Sequence, residues 1–322
     1  MVNISYLKRV IINFLNNFHL LGKFDLQNDY LCKFSQLDQL RNSLIDLYFK
    51  TNPTESSLYL DELNYLKSMN YQDMFPYKQI KALNSDSVIA QIDNHYRMPY
   101  VLHNGKKLFF PAYWSLKEVS EKYKYYIERE NLLGGGFTSK APHQYQSEQF
   151  KIESEDILLD IGCAEGLIAL DSIDKLKKAY LYEADPLWSS PLRATFAPYK
   201  DKVVIINKWV GDKDDSMSVT LNSSVKEDSK EHFFVKMDIE GAEELVIKGN
   251  SDFFLNRQIN AACCTYHKYE HYANLKDLFE KWGYSVSSSD GYMLCFMDNV
   301  FLPPYFRKGI IRASNIKKTH KA

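Results

Sequence analysis

Leu158-Leu159-Asp160-Ile161-Gly162-Cys163-Ala164-Glu165-Gly166 is the stretch whose reading decides the fold of this chain. An apolar run ends at Asp160, passes through a turn carrying Gly162 and Gly166, and resumes as the apolar segment Leu167 to Leu170. That order spells a buried strand, a tight glycine turn and a helix start. Glycine reaches φ > 0 and lets a ligand lie against bare main chain. A helix N-terminus offers free N–H groups to an anionic group. Tyr180-Leu181-Tyr182-Glu183-Ala184-Asp185-Pro186 adds an acid at the end of the next strand, placed to accept hydrogen bonds from two ribose hydroxyls. Together the segments imply a nucleoside-containing cofactor across the carboxyl ends of two parallel strands. A dinucleotide fingerprint would be G-x-G-x-x-G. Here Gly162-x-x-x-Gly166 follows a carboxylate, and the looser turn suits an amino-acid ammonium better than a pyrophosphate. This points to S-adenosylmethionine (SAM), with Asp160, Gly162, Cys163, Gly166, Glu183 and Ala184 as candidate contacts. The turn alone also fits other α/β proteins; the second acid narrows the choice.

The bulk properties bound the partners. At 322 residues the chain is near the soft limit for one core, so one large or two smaller domains are expected. Lys+Arg 40 against Asp+Glu 41 leaves no basic excess to attract a nucleic-acid backbone, and no nucleic-acid partner is expected. No run reaches the ~18 apolar residues of a membrane span. Met1 to Leu21 is interrupted by Lys8 and Arg9 and lacks a signal-peptide core. The five cysteines, Cys32, Cys163, Cys263, Cys264 and Cys295, are scattered, odd in number and without zinc spacing. A cytoplasmic setting is the expectation. Oligomeric state is not fixed by any of these features.

Residues 1–135 read as a smaller, mainly helical domain. Tyr6 to Phe18, Leu37 to Phe49 and Ser57 to Met69 carry apolar residues at helical spacing. Asn104-Gly105, between two short apolar runs over 100–110, predicts a β-hairpin. Ser115-Leu116-Lys117-Glu118 is a capping box opening a helix to about Asn131. Gly134-Gly135-Gly136 marks the joint. From 136 to 322, strands alternate with helices. Strands are predicted at 157–161, 179–183, 203–206, 233–238, 260–266 and 292–297, and helices at 165–175, 187–197, 241–249 and 271–282. This is an α/β pattern with a mostly parallel sheet covered on both faces.

Val235-Lys236-Met237-Asp238-Ile239-Glu240-Gly241-Ala242-Glu243 closes a strand and opens a helix. With the two earlier motifs it resembles the FkbM family of SAM-dependent methyltransferases, whose signature is an Asp-x-Glu-Gly-Ala-Glu turn. The resemblance runs from about Ala141 to Phe296. It takes in Pro142-His143-Gln144-Tyr145, Asn207-Lys208-Trp209-Val210-Gly211-Asp212 and Thr265-Tyr266-His267-Lys268. It implies the class I methyltransferase fold, a Rossmann-like seven-stranded and mostly parallel sheet. It also implies an oxygen acceptor on a small molecule or carbohydrate. Where the family often has Leu-Asp-Asp, this chain has Leu221-Asn222-Ser223, which puts any metal- or substrate-binding role of those acids in doubt.

The candidate residues follow. Asp238, at a strand's carboxyl end, could hold the SAM amino group, bind a metal or take the acceptor proton. Glu240 and Glu243 lie in the first helical turn, where a carboxylate also simply favours the dipole. His267 follows an apolar strand and is the leading base, with an ordinary pKa of ~6.5 that lets it accept a proton; a structural role is the alternative. His143, Tyr145 and Glu240 are candidates to face the substrate. No set of residues has diagnostic metal-ligand spacing. The competing functions are methylation of a non-sugar natural product and a non-catalytic SAM-binding or partner-docking protein.

Overall fold

A computed structural model of the chain describes residues 46–47, 49–68, 88–125, 141–294 and 305–316. The first strands, β1 (Gln91–Ile92), β2 (Pro99–His103) and β3 (Lys106–Phe109), form a small antiparallel sheet. The β2–β3 turn is the expected Asn-Gly turn, with φ +50° at Asn104 and +79° at Gly105. The helix Leu116–Tyr125 follows, with Ser115 Oγ accepting from Glu118 N at 3.1 Å.

The large sheet begins with three parallel strands, β4 (Ile157–Ile161), β5 (Lys178–Tyr182) and β6 (Val203–Ile206). A short ladder of β7 (Trp209–Val210) and β8 (Ser218–Val219) precedes β9 (His232–Met237) and β10 (Gln258–Cys264). β11 (Ser285–Ser288) comes next. After the separate pair β12 (Met293–Leu294) and β13 (Phe306–Arg307), β14 (Ile310–Ser314) returns to the large sheet. The spatial order is β11-β14-β10-β9-β4-β5-β6, with β14 antiparallel to both neighbours and β9 in the middle, beside β4.

The strand sequences explain the burial. A strand covered on both faces is apolar at consecutive positions. Ile157, Leu159 and Ile161 pack with Val235 and Met237 on one face, while Leu158 packs with Phe234 and Leu181 on the other. The helices Leu167–Ser172 and Ser189–Phe196 cover the second face, and Glu243–Gly249, Ser251–Leu255 and His271–Lys281 the first.

One expectation is corrected, and one is set beside the observed grouping. The chain groups as Met1–Lys78 with Tyr292–Arg307, and Gln79–Gly291 with Lys308–Ala322. The hairpin belongs with the large sheet because its polar and apolar groups are tied there. Phe109 N donates to Thr195 Oγ1 at 3.0 Å, and His103 Nε2 lies 2.6 Å from Asp171. In the first unit, the described residues include the helix Leu60–Ser68 and an aromatic cluster in which Tyr59 stacks on Phe306 at 5.0 Å. The last strand of the large sheet is Ile310–Ser314; of the expected 292–297, Met293–Leu294 pairs with Phe306–Arg307 in a separate ladder, and 295–297 lie outside the described residues. The candidate helix Tyr6–Phe18, most of Leu37–Phe49, and Gly134–Gly136 lie outside the described residues.

Candidate functional site

β4, β5 and β9 end at the same edge of the sheet, and the turns that follow them open a cleft of about 480 Å³. This is where ligands bind in open α/β sheets, beyond the carboxyl ends at the point where strand order reverses. The glycine turn after β4 forms one wall. Gly162 has φ +73° and Gly166 φ +80°. A Cβ on Gly162 would run into the Asp238 carbonyl oxygen, and one on Gly166 would press on Phe196 and Leu192. Both glycines therefore serve the chain's own packing: Gly162 lets the end of β9 close over the turn, and Gly166 lets the helix Ser189–Phe196 press against it.

Glu183 joins the ends of β4 and β5. Its Oε2 accepts from Ala164 N at 2.9 Å and its Oε1 from Asp185 N at 2.8 Å. Each carboxylate oxygen keeps a further lone pair, so the group is fixed in place and still able to accept hydroxyl donors. Asp185, Trp188 and the 56%-exposed Trp209 continue the wall beside it.

Asp160 and Lys236 are direct neighbours across the β4–β9 ladder. Their charged groups lie 3.1 Å apart, and Lys236 Nζ also donates to Gly162 O at 2.5 Å. Burial opposes the lysine's charge, but Asp160 and then Asp238 outweigh it and raise its pKa. Burial pushes Asp160 up, with Lys236 opposing. We take the pair as ionic, because Lys236 stands between two acids.

Asp238 is the hub of the other wall. Tyr145 OH donates to its Oδ2 at 2.9 Å, with His143 Nε2 at 3.5 Å from the same oxygen. Tyr266 OH and His267 Nε2 each lie 3.4 Å from Oδ1. Burial would raise its pKa, but His143, Lys236 and His267 reverse that and hold it well below the usual carboxylate range. The segment carrying His143 and Tyr145 is pinned by Arg312 of β14, whose guanidinium donates to the carbonyls of Gln144 and Tyr145. His267 turns its two nitrogens to different acids: Nδ1 lies 3.0 Å from Glu243, while Nε2 lies near Asp238 and 3.7 Å from Glu240. Desolvation lowers its pKa, but Glu243 and Asp238 raise it further, to a net value above the ordinary one.

Of the expected residues, Asp160, Gly162, Cys163, Glu183, Tyr145, Asp238 and Glu240 line the cleft. Gly166, Ala184, His143 and His267 are not in its wall. Gly166 sets the turn, and Ala184 only spaces Glu183 from Asp185. His143, 2% exposed, sits behind Asp238, and His267 reaches the cleft through Asp238 and Glu240. Cys163 is buried, and burial pushes its thiol well up, so it contributes surface rather than reactivity. Lys236 and Trp209 were not singled out from sequence. A lysine inside Phe233-Phe234-Val235-Lys236-Met237 demands a buried acid, and that was the available signal. Donor atoms of Asp238, Glu243 and His267 come within 4.8 Å of one another, as do those of His143, Asp238 and Cys264. His267 forms ion pairs within the first set, and the Cys264 thiol of the second is pushed up by burial. The Leu221–Ser224 stretch forms a short helix, and none of it lines the cleft.

Numbered along the chain, the seven strands lie in the order 3-2-1-4-5-7-6 with the seventh antiparallel, which is the class I methyltransferase fold. Solved structures with this fold resemble the chain. A methyltransferase FkbM from Methylobacillus flagellatus is 16% identical over 61% of this chain and 51% of that one, with a TM-score of 0.42. Precorrin-6y C5,15-methyltransferase from Geobacter metallireducens is 12% identical over 52% of this chain and 84% of that one, with a TM-score of 0.34. The 23S rRNA methyltransferase ErmE is 11% identical over 53% and 66%, also at 0.34. The match thus spans about half the length of the first of these structures. No family model and no curated protein matches the chain. The strand order, rather than these distant likenesses, carries the fold assignment. Among the described residues no helix is long and apolar enough to cross a membrane.

Proposed function

We propose that this protein transfers a methyl group from SAM to a hydroxyl of a small-molecule or carbohydrate acceptor, as the motifs shared with the FkbM family suggest. The observation that carries the reading is the meeting, at one sheet edge, of a main-chain-fixed carboxylate, Glu183, with the Asp238–His267 network. The cleft suits the cofactor on its own evidence. Glu183 has lone pairs left for ribose hydroxyls, and the buried Asp160 carboxylate stands in the cleft wall beside the glycine turn. Asp160, with Asp238, supplies negative charge for an ammonium.

SAM brings a methyl group already activated on a sulfonium, so the chain has to align the acceptor and manage one proton. An alcohol oxygen is a poor nucleophile until that proton leaves. Asp238 stands in the cleft wall and accepts the hydroxyl's hydrogen bond. Its own proton affinity is held low, so it passes the proton on rather than keeping it. His267 Nε2, 3.4 Å behind, has the higher affinity and receives it. Tyr145 and His143 hold the Asp238 carboxylate in place from the buried side. The balanced composition, Lys+Arg 40 against Asp+Glu 41, favours small neutral acceptors over an RNA backbone.

The reading is tested by incubating the protein with SAM and a panel of hydroxylated sugars and glycosides, following the demethylated cofactor and locating the methyl group by mass spectrometry and NMR. A methyl ether supports it. Transfer to nitrogen, carbon or RNA would replace it with a different methyltransferase activity.

A further inference from the structure

The proton path leaves one wholly buried acid without a task. Glu243 opens the helix Glu243–Gly249 and is 0% exposed. A first-turn carboxylate favours the helix dipole, and Glu243 Oε1 does accept from Ile239 N at 3.0 Å. That role does not account for the imidazoles placed on the same carboxylate. His267 Nδ1 is 3.0 Å from Oε1, and His271 Nδ1 is 3.5 Å from Oε2. An ionised carboxylate shut away from water requires a positive partner. Of the two imidazoles, His271 is 1% exposed, and burial lowers its pKa, which leaves His267 as the one suited to take up a proton beside Glu243. The nearby Lys268 ammonium is engaged by the Gly241 carbonyl.

We propose that Glu243 is the positioning residue of a Glu243–His267 pair. Its Oε1 accepts a hydrogen bond from Nδ1–H, which keeps the ring proton on Nδ1 and so leaves the Nε2 lone pair facing Asp238 and the cleft. It then stabilises the imidazolium formed when the acceptor's proton arrives. Ring nitrogens are distinct, and the bond at one sets the proton state of the other. The source of that proton rests on the methyl-transfer reading; the pairing does not. In the step itself the acceptor oxygen bonds to the methyl carbon with a lone pair and keeps the O–H electrons. The carbon–sulfur pair leaves with sulfur, and the proton passes by Asp238 to Nε2. The groups facing His267 are Glu243, Asp238 and Glu240, with Tyr266 and His271 on its own segment. His143 and Lys236 act on it through Asp238.

Nitrogen-15 NMR of the full chain labelled at histidine tests the pair without any acceptor, with the His267 signal assigned from His267→Asn. The expected neutral form carries its proton on Nδ1 and titrates above the ordinary ~6.5. Glu243→Gln should lower that midpoint by about one unit or more, the usual effect of a removed opposite charge. SAM affinity should stay within about twofold, and turnover on an identified acceptor should fall about 10²-fold, at the low end of general-base effects. A proton on Nε2 in the neutral wild-type protein, or an unmoved midpoint in Glu243→Gln, would overturn the proposal. If Glu243→Gln does not fold, the wild-type tautomer decides alone. Failure of SAM to bind would refute the functional reading while leaving the pairing intact.

Discussion

Glu183 and Asp238 are both carboxylates at the carboxyl ends of strands flanking β4, yet they are held in opposite ways. Glu183 is gripped by two main-chain amides, those of Ala164 and Asp185. Asp238 is gripped by side chains: Tyr145, His143, Tyr266 and His267, with Lys236 close by. A main-chain grip persists through most side-chain changes and suits a ligand that never varies, such as a cofactor. A side-chain grip is redrawn by single substitutions and suits the part of the cleft where the chemistry is set. Lys236 ties the glycine-turn wall to the Asp238 wall, joining Asp160 of β4 to Asp238 after β9.

Lys236→Met gives the largest expected effect and strikes both ends at once. Removing one partner of a buried pair typically costs about 3–5 kcal/mol, read here as a fall in the denaturation midpoint. Adding Asp160→Leu should recover much of the loss, since an apolar pair replaces an ionic one. A single variant as stable as wild type would show that Lys236 does not link the two walls. Next comes Gly162→Ala. Backbone strain at φ > 0 adds about 1–2 kcal/mol, and overpacking another ~1–3 kcal/mol, because the new Cβ meets the Asp238 carbonyl. Full stability would mean the glycine turn is not clamped beneath the end of β9.

A pH profile separates the ends without any substitution. His267 must be neutral to accept a proton, and its pKa is raised. Turnover should therefore climb as pH rises through a midpoint above ~6.5, while SAM binding at the Glu183 end changes little over the same range. Parallel curves would merge what the comparison divides. The smallest effect is expected far from both, on the hairpin. There Asp93 accepts from the amides of His95 and Tyr96 and pairs with Lys107. Its pKa is lowered from 3.8 to about 2, with Lys107 the largest cause. A depressed carboxylate contributes stability above its unfolded pKa and loses it as pH falls through the folded one. The stability difference between wild type and Asp93→Asn should therefore shrink between about pH 4 and pH 2 and vanish below. A difference that persists below pH 2 would remove the ion pair as its cause.

The main-chain end was the legible one. Leu158 to Gly166 and Tyr180 to Glu183 announce strand, turn and acid because apolar runs and glycines are local signals. The side-chain end depends on contacts between distant segments, which no local pattern shows. Lys236 could be inferred only from its cost inside a buried strand. The clustering of His143 and His267 around the Asp238–Glu243 turn needed the sheet to bring three segments together. β14 escaped notice because Arg312 interrupts its apolar run, and that arginine reaches the carbonyls of Gln144 and Tyr145. β11, with Val286 as its sole apolar residue, sits at the sheet edge. The hairpin was found, but its place with the sheet rests on Thr195 and Asp171, which lie outside its own sequence.

The central claim is that the cleft between the β4 and β5 turns binds SAM through Glu183. Titration calorimetry of SAM into wild type and Glu183→Ala, side by side, tests it most directly. The expected result is saturable one-to-one binding to wild type, weakened in the variant by about 1–3 kcal/mol, the range for stranding a buried polar partner. Equal affinity in the two proteins, or no binding to a folded wild type, would contradict it.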